Sequence, residues 1–127
     1  LGIAQKVHFI GNIDQTKLAN IMSDCFVVLS PLTGRSLVEA SLAALPIIAY
    51  DRDWQLDFVT KSGNGVVVSF RDWESMGKEA LALIANPTQT LRYAAASRQA
   101  GLDFCDTDKM YAHEQSEFLK ILNNTKV

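Results

Sequence analysis

No run of apolar residues in this sequence approaches the ~20 that a membrane-crossing helix needs; the run from Leu42 to Tyr50 is already broken by Pro46. There is no block of lysine or arginine either. A formal net charge of −2 offers no electrostatic footprint for a nucleic-acid backbone, and nothing basic enough to seek an anionic lipid surface. Cysteine is scarce: Cys25 and Cys105 lie far apart without a C-x-x-C pattern, which favours two reduced thiols and a cytoplasmic setting over a disulfide. The chain has no G-x-S-x-G, no H-E-x-x-H, no G-x-x-x-x-G-K-[ST] and no G-x-G-x-x-G, so the best-known self-contained catalytic and phosphate-binding signatures are missing. His8 stands without a second ligand nearby, so it reads as a packing residue, and no metal site is expected. The first residue, Leu1, is not a methionine, and the first recognisable element starts within a few residues. A piece of a longer protein is the expectation.

What is present reads as one folded unit. With 127 residues and 48% apolar composition the chain can build a single core. Apolar runs of strand length at Val7–Ile10, Phe26–Leu29, Ile47–Tyr50 and Val66–Val68 alternate with helical patterns. The first pattern, from Asp14 to Cys25, carries Ile13, Leu18, Ile21 and Met22 at near-helical spacing. Ser36 opens a second helix and Gln55 to Lys61 a third. Asp72 caps a fourth whose stripe is Trp73, Met76, Ala80, Leu83 and Ile84. Asn86-Pro87-Thr88 breaks that helix, and Thr88 is the expected cap of the next, which runs to about Leu102. Tyr111, Phe118, Ile121 and Leu122 give one apolar face to a final helix that fades into a frayed end from Asn123 to Lys126. Strand-then-helix order with nearly continuous apolar strands predicts a three-layer α/β/α, Rossmann-like domain with a parallel sheet.

The densest stretch is Ser30 to Tyr50, which reads as strand end, tight loop, short helix, proline stop and new strand. Thr33-Gly34 is a turn in which glycine permits close approach of another molecule. Ser36-x-x-Glu39 fits a capping box. A helix opening straight after a strand and a glycine loop is a place for phosphate, and Glu39 can accept hydrogen bonds from two vicinal hydroxyls such as those of a ribose. Glu39 and Ser36 each keep a purely capping alternative, and Arg35 reads equally as an exposed loop cation or a phosphate contact. The loop Asp51-Arg52-Asp53-Trp54 faces the same side. Tyr50 and Trp54 either line a base pocket or serve as core. Asp57 reads as a surface helical carboxylate.

These features together resemble the donor-binding, carboxyl-terminal domain of GT-B-fold glycosyltransferases, particularly those of family 4, from about Val7 to Leu122. The residues that carry the resemblance are the V-x-F-x-G strand (Val7, Phe9, Gly11), the strand entry Ser23-Asp24-Cys25, the S/P loop with a glycine, the E-A helix ending in G-x-P (Glu39-Ala40, Ala44-Leu45-Pro46) and a D-G-x-x-G turn (Ser62-Gly63-Asn64-Gly65). The resemblance implies that residues 1–127 form part of a nucleotide-sugar donor-binding domain of a hexosyltransferase type. It puts Glu39 on the donor ribose, and Thr33, Gly34, Arg35, Ser36 and Leu37 around the diphosphate. The pattern departs at Pro31, where the family's E-x7-E motif has its first glutamate. The resemblance also implies two further central strands with a basic segment and a separate amino-terminal acceptor domain, neither lying in these residues. No catalytic residue is therefore assigned, no cofactor is expected beyond the nucleotide-diphosphate sugar as substrate, and the chain alone is expected to be inactive. Self-association of the chain and peripheral membrane association of a full-length enzyme are further expectations. The competing class is a non-catalytic Rossmann-like binding or scaffold module.

Overall fold

The computed structural model describes residues 2–124. A short 3-10 turn at Ala4–Lys6 precedes α1 (Gln15–Ser23), β1 (Val28–Ser30), α2 (Ser36–Leu42), β2 (Ile47–Tyr50), α3 (Asp53–Ser62), β3 (Gly65–Val68), α4 (Trp73–Ala85), α5 (Pro87–Phe104) and α6 (Thr107–Asn124). The three strands lie side by side in the order β1-β2-β3 and pair in parallel. Register is set by Val28 opposite Ile47 and Ile47 opposite Gly65.

The central strand explains the layering. All four residues of β2 are buried, as a strand covered on both faces requires. Because side chains alternate along a strand, Ile47 and Ala49 join Leu37 and Ala40 of α2 and Val59 of α3 on one side. Ile48 and Tyr50 join Met76 and Leu83 of α4 on the other, with Tyr93 of α5 packed against them. The result is the expected three-layer α/β/α arrangement. Leu37, Ile47, Ile48 and Val59 are at most 1% exposed, and each such side chain contributes roughly 1.5–3 kcal/mol of burial.

Helix α5 ties the two helical layers together. Its Tyr93 sits over the second face, the Ser97 hydroxyl donates to the Leu45 carbonyl at 2.6 Å, and Gly101 lies hard against the α2 backbone. A Cβ at Gly101 would stand 2.8 Å from the Leu42 nitrogen, so glycine is what permits this approach. Phe104 then stacks on Trp54 and meets Phe58 edge-on. Beyond it, the Lys109 ammonium bridges Asp103 and Asp106, holding the junction of α5 and α6. The Lys109 hydrogen bond, with help from Gln99, holds the Asp103 carboxyl below its ordinary range.

Several expectations need correction. Val7–Ile10 forms no strand and is unpaired; Val7, Phe9 and Ile10 are exposed, Phe9 at 97%. An apolar run becomes a strand only beside a partner edge, and among the described residues none lies next to it. The second strand is shorter than expected, starting at Val28, with Phe26 exposed. Asp72 does cap α4, accepting from the Ser75 amide, a bond that together with the Ser75 hydroxyl lowers its pKa. Of the proposed α4 stripe, however, Trp73 and Ile84 are exposed. The cap of α5 is Asn86 rather than Thr88, with Pro87 in the first turn, where its missing N–H costs nothing. Helix α6 forms, yet has no buried residue among those described, and the end at Thr125–Lys126 lies outside the described residues.

Candidate functional site at the carboxyl ends of the strands

The chain leaves β1 at Ser30, turns through residues 31–35 and enters α2. Arg35 already has helical dihedrals (φ −59°, ψ −30°), so it, not Ser36, is the flanking residue, and no side-chain cap hydrogen bond forms. The capping box expected of Ser36 and Glu39 is therefore absent. Glu39 pairs instead with Arg35, at 3.8 Å, one helical turn back. The amides of Leu37 and Val38 are taken by the carbonyls of Gly34 and Arg35. Those of Gly34, Arg35 and Ser36 have no acceptor among the described residues. Leu37 itself is a core residue at 0% exposure, so only its backbone belongs to the loop.

Glu39 is partly exposed (27%) and borders a groove of ≈ 300 Å³ between α1 and α2. Leu18 and Met22 of α1 and Leu42 of α2 give this groove apolar walls, with Gln15 at its rim. Across the loop, Thr33 donates its hydroxyl proton to Asp53 at 2.9 Å. That bond joins the β1–α2 loop to the β2–α3 loop. Five of the six expected site residues, Thr33 to Leu37, are thus in one turn, and Glu39 lies on the helix that the turn opens.

The residue that fastens this edge was not anticipated. Gln55 is 0% exposed; its amide donates to the Tyr50 carbonyl at 3.0 Å and its oxygen accepts from Ser30 at 3.4 Å. One side chain of α3 therefore ties the ends of β1 and β2. Its signal in the sequence was the spacing: Gln55 falls on the same helical face as Val59, four residues on. Also unanticipated was Phe70, whose amide donates to the Asp51 carboxylate at 2.6 Å and whose ring meets Tyr50 edge-on at 5.7 Å. The guanidiniums of Arg52 and Arg71 lie 4.6 and 5.2 Å from that ring. Tyr50 packs in the core, and Trp54, 41% exposed, stacks on Phe104 at 5.8 Å. Asp57 is a surface carboxylate, paired with Lys61 at 3.0 Å.

With this geometry in place, the family is decided by comparison. A family model described as glycosyl transferases group 1 matches residues 1–100. The chain belongs to that family. Among solved structures, it is similar to sucrose-phosphate synthase from Thermosynechococcus elongatus, with a TM-score of 0.77 at 18% identity. The superposition covers 97% of this chain and 32% of that one, so the chain spans about a third of the length of its structural relative. At that identity the likeness speaks to the fold, and it agrees with the parallel α/β/α layering. No curated protein sequence matches the chain. Among the described residues no helix is long and apolar enough to cross a membrane.

Proposed function

We propose that this group 1 glycosyl transferase domain is the donor-holding part of a GT-B enzyme of family 4 type. It would bind a nucleotide-diphosphate sugar while a separate domain presents the acceptor. The observation that carries this reading is the coincidence of the family match with one turn of chain: Glu39 on α2 directly follows a glycine loop at the carboxyl end of a parallel strand. Ligands of open α/β sheets lie at such strand ends.

In this reading the Gly34, Arg35 and Ser36 amides donate to the diphosphate, with Thr33 shaping the turn. Glu39 accepts from both ribose hydroxyls, and the base lies toward the α1–α2 groove. The Arg35–Glu39 pair must open first. With Arg35 84% exposed, such a pair is worth ~0–1 kcal/mol. A ribose therefore displaces the guanidinium at little cost, and Arg35 becomes available to the diphosphate. The chain contributes binding and orientation of the donor. The nucleophile and further positive charge at the departing diphosphate come from elsewhere in the full enzyme, so transfer by this chain alone is not expected.

Calorimetric titration with UDP, GDP and ADP tests the reading. At least one should bind, and Glu39→Ala should weaken it by ~1–3 kcal/mol, the range for lost hydrogen bonds to a charged acceptor. Since Glu39 caps nothing, its thermal midpoint should barely move. Absence of binding by all three nucleotides, or unchanged affinity in Glu39→Ala, sinks the assignment.

A further inference from the structure

We propose that Arg71 and Arg52 form a phosphate-binding subsite at the carboxyl ends of β2 and β3, for a sugar ligand that carries a phosphate group. The identity of that ligand as a sugar rests on the donor-domain reading above; the subsite itself rests on local geometry. Tyr50 and Val68 are register partners, so the loops after β2 and β3 leave the sheet side by side. They are locked together: the Asp51 amide donates to the Val68 carbonyl at 2.9 Å, and the Asp51 carboxylate accepts from the Phe70 amide. Phe70 is further fixed edge-on by Tyr50. On this ring both guanidiniums converge, that of Arg52 also paired with Asp53.

Arg71 adopts φ 67° as the third residue of a turn that the Asp72 amide closes on the Ser69 carbonyl at 2.9 Å, so its position is set by the backbone before the helix begins. The acids nearby are committed. Asp51 is engaged with the Phe70 amide, Asp72 caps α4 through Ser75, and Asp53 is shared between Thr33 and Arg52, the latter at 3.6 Å. Arg71 has no carboxylate within salt-bridge distance among the described residues. Its free planar fork of donors, beside the second fork of Arg52, suits the three oxygens of a phosphate. Such a group could be a phosphate ester on the acceptor or the diphosphate of the donor.

Calorimetry with glucose 6-phosphate, with glucose as neutral control and UDP in parallel, tests the subsite. Glucose 6-phosphate should bind and glucose should not. Arg71→Gly should weaken the sugar phosphate about tenfold or more, as expected for loss of a bidentate charged contact, without lowering the thermal midpoint, because glycine accepts the left-handed backbone. Arg52→Gln should weaken it as well. Unchanged UDP affinity in Arg71→Gly assigns the subsite to an acceptor phosphate; a parallel loss assigns it to the donor diphosphate. No response of the wild-type chain to glucose 6-phosphate, UDP or inorganic phosphate, or responses that Arg71→Gly leaves intact, overturns the proposal. Failure of all nucleotides with retained glucose 6-phosphate binding would instead remove the donor reading and leave the subsite standing.

Discussion

Replacing Gln55 by glutamate changes one atom in a place where the consequence can be calculated. Gln55 is 0% exposed, and its amide nitrogen donates to the Tyr50 carbonyl at 3.0 Å. In Gln55→Glu an ionised carboxylate would face that carbonyl with no donor except the Ser30 hydroxyl, which also serves the Leu32 carbonyl. Burying such a charge costs more than protonating it, so the folded protein takes up a proton and the new acid's pKa rises well above the ~4.3 of free glutamate. That escape caps the penalty. At pH 7 holding the proton costs about 1.36 kcal/mol for each of 2.7 units, or ~3.7 kcal/mol; at pH 5 it costs ~1 kcal/mol. The sign follows from linkage: a raised carboxyl pKa leaves the folded state binding more protons than the unfolded one, so stability falls as pH rises above ~4.3. The protonated acid can still donate to Tyr50, so little is lost at the acid end. Urea denaturation of both proteins at pH 5, 6 and 7 should therefore show the variant losing about 2.5–3 kcal/mol relative to the parent across that range. A difference that is constant with pH would mean that the side chain reaches water, and that Gln55 is not the buried tie between β1 and β2.

Gly65→Ala should cost at least about 3 kcal/mol in the same assay, because the new Cβ would stand 1.8 Å from the Ile47 carbonyl oxygen of the neighbouring strand; a loss under about 1 kcal/mol would refute the β2–β3 register. Ala44 sits at φ 58° where the glycosyltransferase pattern carries glycine. Ala44→Gly should thus gain about 0.5–1 kcal/mol, the left-handed strain relieved less the added freedom of the unfolded chain, and a lower thermal midpoint would contradict this. Strand β1 is at the edge of the sheet with Leu29 47% exposed, and Phe9 is 97% exposed. The chain on its own is therefore expected to self-associate, and light scattering that shows a monomer at high concentration would refute it.

What was legible in the sequence was local and periodic. Ile47–Tyr50, apolar on both faces and bounded by Pro46 and a polar loop, could only be an interior strand, and the structure buries it completely. The Asp72 cap followed from one side chain and one amide three residues on. Val7–Ile10 looked equally convincing, because its chemistry is that of a strand, but pairing is a property of the neighbour and not of the run. The Ser36–Glu39 box failed for a smaller reason: Arg35 is already helical, which shifts the start of α2 and turns Glu39 toward Arg35. That Thr33 to Leu37 and Glu39 fall on one loop and helix start followed from a strand–loop–helix pattern, while the roles given to them came from the family resemblance. The tie made by Gln55 and the convergence of Arg52 and Arg71 on Phe70 could not be read in this way, since each joins residues brought together by the parallel register of different strands.

The two ends of the site differ in how much ligand binding must change them. At the α1–α2 end the Arg35–Glu39 contact is long and exposed, so both side chains are held by ~1 kcal/mol or less and can re-aim when a ligand arrives. At the β2–β3 end the Asp51 carboxylate, the Phe70 amide and the Tyr50 ring fix the loops before any ligand is present. The Thr33–Asp53 hydrogen bond and the Gln55 tie to Ser30 and Tyr50 link the two. A ligand that spans both ends therefore meets a preformed half that loses little freedom and an adaptable half that must be ordered. If the chain holds a nucleotide as proposed, affinity should be concentrated at the rigid end and selectivity among nucleotides at the adaptable one, where Gln15 and Glu39 line the groove assigned to the base.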